Sequence, residues 1–318
     1  MSVFSRAHFH DEEAAFAYVE RELWPHGPVC PHCGCTGRVS IIKANPEKKV
    51  RAGLKFCGDC RKQFTVRVGT LFASSHLPMT KWLQAIHLMC ASKKGVSAHQ
   101  LHRVLECTYK TAWFLAHRIR AAMASGELDP FGRGGGAVEV DETFIGKSKN
   151  FKLGKKGNRP GISGMMKVLT LLDRDTGRAR SMVIDDLKST TIGPIVWNNL
   201  SHEARLMTDE AHRFKQIGIH FADHQTVNHA KDEYVRYASP LITTNTVESY
   251  FSVFKRGMRG TYQHCAEKHL HRYLAEFDFR YSAWSTLGVD DTQRASRALK
   301  GVVGKRLTYR RPDAGLTA

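Results

Sequence analysis

The hydrophobic pattern changes period along the chain. Around the cysteine pairs before Met79 it marks short strands, which include Phe56 and Phe64, with the basic, turn-rich stretch 43–55 as the loop between two ribbon strands. From Met79 the spacing becomes helical: MTKWLQAIHLMCAS places Trp82, Ile86 and Met89 on one face, with Leu83 and Cys90 adjoining. After a break at KKG, SAHQLHRVLE predicts a short helix capped by Ser97, and TYKTAWFLAHRIRAAMA a longer one capped by Thr108. Three helices with a tight middle connection fit a helix-turn-helix unit. Lys110, His117, Arg118 and Arg120 on the last helix are then exposed candidates for phosphate contact. GELDPFGRGGG (126–136) reads as a flexible linker.

Beyond the linker the period shortens to two. Residues 137–144 predict a strand carrying Asp141, and MMKVLTLLDRDTGRARSMVI predicts two strands joined by an Asp-Thr-Gly turn. LKSTTIGPIVWNNL predicts a helix capped near Ser189, and ARLMTDE a short buried strand ending at Asp209. NTVESYFSVFKRG begins a further helix, and residues 262–277 another, with Leu270, Tyr273, Leu274 and Phe277 on its core face. Strand, hairpin, helix, strand is the order of a mixed α/β sheet.

Composition narrows the partners. Lys and Arg outnumber Asp and Glu 48 to 30 in 318 residues, a net charge of +18, which favours nucleic acid over a small acidic substrate. No stretch approaches the roughly 20 apolar residues that span a bilayer, and the acidic N-terminus is no signal peptide. Four of the eight cysteines form two pairs, Cys30-Pro-His-Cys33 and Cys57-Gly-Asp-Cys60. Four thiolates so spaced suit one closed, structural zinc site in a reducing cytoplasm, with Gly34 and Gly58 at the tight turns; Cys35 and His32 lie too close to their neighbours to be needed. Such an ion supplies folding energy to a segment too small for a core and has no open position for catalysis.

In so basic a chain, carboxylates need a reason. Asp141 interrupts an apolar strand, where an unpaired acid is expensive. Asp209 at a strand end could cap the next segment, and Asn245 with Glu248 three residues on has the spacing of a capping box. Gathered together, the three acids would bind two hard divalent ions and serve in-line attack on a phosphodiester. Glu139 is the main rival, because strand alternation puts it on the face of Asp141; Glu142 and Glu210 are near neighbours open to confusion with ligands.

The order CPHCG, CGDCRKQFTVRVGTLF, KWLQAIHLMCASKKGVSAHQLHRVL, TYKTAWFLAHRIR, VEVDETFIGKSK, TDE and NTVESYFSVFKRGMRGTYQHCAEKHLHRYLAEFDFRY resembles the bacterial insertion-sequence transposases of the DDE class that carry an N-terminal zinc ribbon. The resemblance implies a ribonuclease-H-like catalytic core with Asp141, Asp209 and Glu248 as the triad holding two Mg2+ (or Mn2+) ions, besides one Zn2+ on Cys30, Cys33, Cys57 and Cys60. It also implies DNA cleavage and strand transfer on transposon ends and target DNA, a homodimer or larger oligomer in the synaptic complex, no membrane, and a bacterial cytoplasm. The expected divisions are an N-terminal helix and zinc ribbon (1–78), a helical DNA-binding domain (79–125), a linker (126–136), the catalytic domain (137–285) and a basic tail (286–318). A DNA-binding regulator derived from such an enzyme and a hydrolytic nuclease are the competing readings. GKSKNFKLGKKGNRPG (146–161) reads as a basic loop disordered without DNA. Of His220, His224 and His229, the latter two are candidates for a place near the acids, and Lys255, Arg256 and Arg259 for the DNA backbone.

Overall fold

The computed structural model describes residues 2–45, 47–124, 126, 129–149, 164–283 and 287–308. Its elements in chain order begin with helix α1 (Glu12–Leu23), strands β1 (Val39–Ile41), β2 (Lys55–Cys57) and β3 (Gln63–Phe64), and helices α2 (Met79–Ala91), α3 (Ala98–Val104) and α4 (Tyr109–Met123). Strands β4 (Ala137–Ile145), β5 (Met166–Asp173) and β6 (Ala179–Ile184) follow, then helix α5 (Ser189–Asn199), strand β7 (Arg205–Asp209), helix α6 (His212–Gly218) and strand β8 (Asp223–Val227). The chain continues through strands β9 (Val235–Arg236) and β10 (Ile242–Thr243) to helices α7 (Asn245–Gly257), α8 (Glu267–Tyr281) and α9 (Asp291–Lys300). They group into two units, one from residues 1–92, 96–124 and 290–318, the other from 93–95 and 125–289.

In the first unit β1, β2 and β3 form a small antiparallel sheet. Helix starts follow local chemistry: Asp11, Ser97 and Thr108 each accept a first-turn N–H, at 2.9, 3.1 and 3.2 Å. Helix α2 begins after Pro78, which offers no side-chain acceptor, and the carboxylate of Glu12 receives the N–H groups of Met79 and Thr80 at 2.8 and 3.2 Å. The basic face expected on α4 is not at the surface. His117, Arg118 and Arg120 are buried, and of the four candidates only Lys110 is exposed. Arg118 donates to the Ala73 carbonyl at 2.7 Å and lies over the Trp82 ring, and burial pulls its pKa down to about 10. A guanidinium so used packs the helices and is withdrawn from phosphate.

Sequence pattern gives no core to the stretch from Arg294, yet residues 291–300 form α9, packed on α1, α2 and α4. The physical reason lies in its caps and a narrow apolar stripe. Asp290 and Gln293 make a reciprocal capping box, Ala298 and Leu299 are buried, and Arg294 donates to the Cys90 carbonyl at 3.1 Å. Beyond it, Lys305 donates to the Ala121 and Ala124 carbonyls at 3.0 and 2.7 Å, closing the C-terminal end of α4 with a cation. Arg310 and Arg311 lie outside the described residues.

The second unit is built on a five-stranded sheet in the order β6-β5-β4-β7-β8, the first three antiparallel and the last two parallel to β4. Alternation sends Val138, Val140, Leu169 and Leu171 to one face, against Ile192 and Val196 of α5 and Phe214 and Ile217 of α6. Val168 and Leu172 go to the other, against Tyr250 and Phe254 of α7 and Leu274 and Phe277 of α8. A mixed sheet covered by helices on both faces is the ribonuclease-H-like arrangement, and in the sequence it follows the four-cysteine cluster. Helix α8 starts five residues later than predicted, because Gln263 takes a φ of 57° after a π-helical turn at Met258–Tyr262. Of the basic loop 146–161, residues 150–161 lie outside the described residues.

If α9 is part of the first unit's core, Leu299→Ala removes about 2–5 kcal/mol from the unfolding of that unit, measured by urea denaturation. A loose tail gives no change.

Candidate functional site

Two clusters carry chemistry. In the first, Cys30 and Cys60 sulfurs are 3.7 Å apart, Cys33 and Cys57 are 3.6 Å apart, and all four lie within 4.8 Å of one another. A tetrahedral ion with metal–sulfur bonds of about 2.3 Å requires sulfurs about 3.8 Å apart, so the donor set fits zinc. The Cys60 backbone N–H pulls the Cys57 thiol down to about 6. Both knuckles turn through a left-handed residue directly after their second cysteine: Gly34 at φ 78° and Arg61 at φ 55°. Gly58 therefore does not hold the position expected of it; its N–H bonds the Arg38 carbonyl instead. Cys35 accepts from the Arg38 N–H at 3.4 Å and stands outside the cluster.

The second cluster forms where β7 ends, at Asp209, beside Asp141 in the middle of β4. Parallel pairing sets Glu139 opposite Met207, and two more steps along both strands bring Asp141 level with Asp209 on the same face. Ligand atoms of Asp141, Glu142 and Asp209 lie within 4.8 Å of one another. Glu142, read from sequence as a bystander, enters through its ion pair with Arg213 of α6, whose guanidinium also stands 4.0 Å from Asp209. Glu142 Oε2 is buried with no hydrogen-bond partner among the described residues, an acceptor suited to a cation. Burial, then the charges of Asp209 and Glu248, push Asp141 up to about 8, against the pull of Arg213 and Lys255. Acids held together at that cost are what a hard divalent ion would relieve.

Glu248 lies outside the tight cluster, though near enough for its charge to act on Asp141. The capping box predicted for it does not form. Asn245 is already inside α7, Thr244 is the cap residue, and neither supplies a side-chain cap. Glu139 does so instead: wholly buried, it accepts the Val247 N–H at 2.8 Å and pairs with Arg174 at 3.1 Å. Burial raises its pKa, while the Val247 and Thr246 bonds and Arg174 pull it back. The rival for Asp141 is thus the anchor of the helix that carries Glu248.

The three histidines separate. His229 Nε2 lies 3.4 Å from Glu248 Oε1 and 3.3 Å from Thr244 Oγ1. His224 bonds Thr208 of β7 at 2.9 Å, with its pKa lowered by burial. His220 packs edge-on against Trp197. Sequence missed Arg213, whose only signal was its place four residues after Asp209.

Fold and site define a transposase- or nuclease-like protein: an acidic cluster on a ribonuclease-H-like sheet, with a zinc-ribbon-like cysteine cluster before it. The family model of the ISXO2-like transposase domain matches residues 134–282, and that of the transposase zinc-ribbon domain matches residues 10–63. The chain belongs to the IS1595 family of DDE transposases with an N-terminal zinc ribbon. It is 23% identical over 283 residues to the "Uncharacterized protein in transposable element ISH50" of Halobacterium salinarum, covering 86% of this chain and 91% of that protein. A solved simian T-cell lymphotropic virus intasome, in complex with PP2A regulatory subunit B56 gamma, aligns at 15% identity over 56% of this chain and 67% of that chain. Its TM-score of 0.28 supports no inference. Among the described residues no helix is long and apolar enough to cross a membrane.

Two outcomes follow. Glu139→Ala leaves the start of α7 without its acceptor and Arg174 with the Leu241 carbonyl in place of a carboxylate, and lowers stability by about 1–3 kcal/mol in chemical denaturation. Asp141, raised from 3.8 to about 8, adds stability below the lower value that is lost as pH rises through the upper. Without divalent metal the melting temperature therefore falls across that window, and Asp141→Asn flattens the fall.

Proposed function

We propose that this chain is a DNA transposase that binds transposon end repeats and catalyses metal-dependent strand cleavage and strand transfer. The observation that carries the reading is the proximity of Asp141, in the middle of β4, to Asp209, at the end of β7, with Glu248 on α7 near enough for its charge to act on Asp141. Asp141, Asp209 and Glu248 would hold two Mg2+ or Mn2+ ions, and Cys30, Cys33, Cys57 and Cys60 one structural Zn2+. Ligand atoms of Asp141 and Asp209 lie within 4.8 Å of each other and the charge of Glu248 reaches Asp141, which would suit the three acids to divalent ions. When bound, such ions activate the attacking water or 3′-hydroxyl and stabilise the leaving oxygen.

The residues divide the remaining work. Arg213 pairs with Glu142 and stands 4.0 Å from Asp209, a cation at the edge of the acidic cluster. Lys255, two turns along the same face of α7 from Glu248, is available to the DNA backbone; its pKa is lowered by burial and by Arg259. The zinc ribbon and the helical elements of the first unit would grip the transposon ends, and joining two ends requires at least a dimer.

The test uses purified protein, labelled candidate end DNA and Mg2+, assayed for both nicking and joining. Expected are both products, their loss in Asp141→Asn with DNA binding kept, and their loss in Glu248→Gln. Nicking without joining would instead identify a hydrolytic nuclease, and binding without either a regulator. Full activity in Glu248→Gln would remove Glu248 from the site.

A further inference from the structure

We infer that His229 is a positioning residue for Glu248, holding one carboxylate oxygen through the Thr244 hydroxyl so that the other is presented to metal. This rests on the metal role proposed for Glu248. Glu248 Oε1 accepts from Thr244 Oγ1 at 3.2 Å and faces His229 Nε2 at 3.4 Å, while Nε2 and Thr244 Oγ1 stand 3.3 Å apart. The three polar atoms form a closed triangle with that oxygen at one corner. Glu248 Oε2 has no hydrogen-bond partner among the described residues.

The surroundings assign the imidazole proton. His229 Nδ1 is buried with no hydrogen-bond partner among the described residues. A proton there would be stranded and would turn the Nε2 lone pair toward a carboxylate, so the proton belongs on Nε2, donated to Thr244 Oγ1, whose own hydroxyl proton goes to Glu248 Oε1. The ring is also held from behind. Tyr234 packs against it with centroids 5.1 Å apart. Its turn, His229–Lys231, is closed by Asn228, whose side chain accepts the Lys231 N–H at 3.0 Å. Asn228 in turn donates its own N–H to Glu233, which is ion-paired with Arg236 at 2.8 Å. A braced donor of this kind is what orients a ligating carboxylate from outside the coordination shell.

The test titrates the zinc-loaded full-length chain with Mn2+ at one pH, reading free Mn2+ by electron paramagnetic resonance, with zinc content and thermal melting as fold controls. His229→Leu should weaken Mn2+ binding by about 10- to 100-fold with both controls unchanged. His229→Gln, whose amide nitrogen can reach the place of Nε2, should recover most of the affinity. Wild-type affinity in the Leu variant, or a Gln variant as weak as Leu, would overturn the inference. The metal reading has its own control: Asp141→Asn binding Mn2+ like wild type would show that the acidic cluster is not the site, and both claims would fall for that separate reason.

Discussion

A carboxylate buried under a helix end sets the geometry on which the rest of the site depends. The first N–H groups of α7 have no partner within the helix and carry its positive dipole end. No side chain at Thr244 caps them, and the N–H of Val247 goes to Glu139 in the middle of β4. Glu139 is two residues from Asp141 on the same face of one strand, and Val247 immediately precedes Glu248. One contact therefore fixes the separation of two proposed metal-binding acids that are far apart in sequence. The same device starts α2, where Glu12 supplies the acceptor that Pro78 lacks.

Net charge says less about the DNA-binding surface than its size suggests. Part of the excess of +18 is spent inside the first unit. Arg118 and Arg120 are buried along α4, Arg294 is buried in α9, and Lys305 closes the end of α4. Aliphatic stems fill space between helices while guanidinium groups satisfy backbone carbonyls, which a hydrocarbon side chain could not do. The chain stays basic enough to attract a polyanion, but the surface that does so has to be found among the residues left exposed, such as Lys110.

What was legible in the sequence followed from short-range rules. Two Cys-x-x-Cys pairs, the caps at Ser97 and Thr108, and the alternation in β4 and β5 each involve neighbours a few positions apart, and the structure has them. Alternation even placed Glu139 on the face of Asp141. Its role stayed hidden because its partner, Val247, lies 108 positions away. Glu142 and Arg213 are 71 positions apart, so neither advertised the other. Asn245 and Glu248 had the spacing of a capping box, but a cap competes with any better acceptor, and Glu139 supplied one. The helical face of α4 misled for a different reason: periodicity separates faces by polarity, and an arginine that stacks on Trp82 is counted as polar while packing as apolar.

The site is arranged against its own stability in the absence of a cation. Asp141 is hemmed by Asp209 and Glu248, and the nearest guanidinium, that of Arg213, is already paired with Glu142. The one hydrogen bond to the Asp141 side chain among the described residues comes from the N–H of Glu142, at 2.7 Å. Sheet pairing holds Asp141 beside Asp209, and Glu139 holds α7 in place, so neither carboxylate can relax by swinging its element away. A strained group persists when the surrounding structure over-determines it. Here the over-determination is identifiable, in the β4–β7 register and the buried end of α7. The crowded carboxylate of Asp141 and the unpartnered Oε2 of Glu142 lie together in the acidic cluster, which is where a phosphodiester and its cations would have to meet.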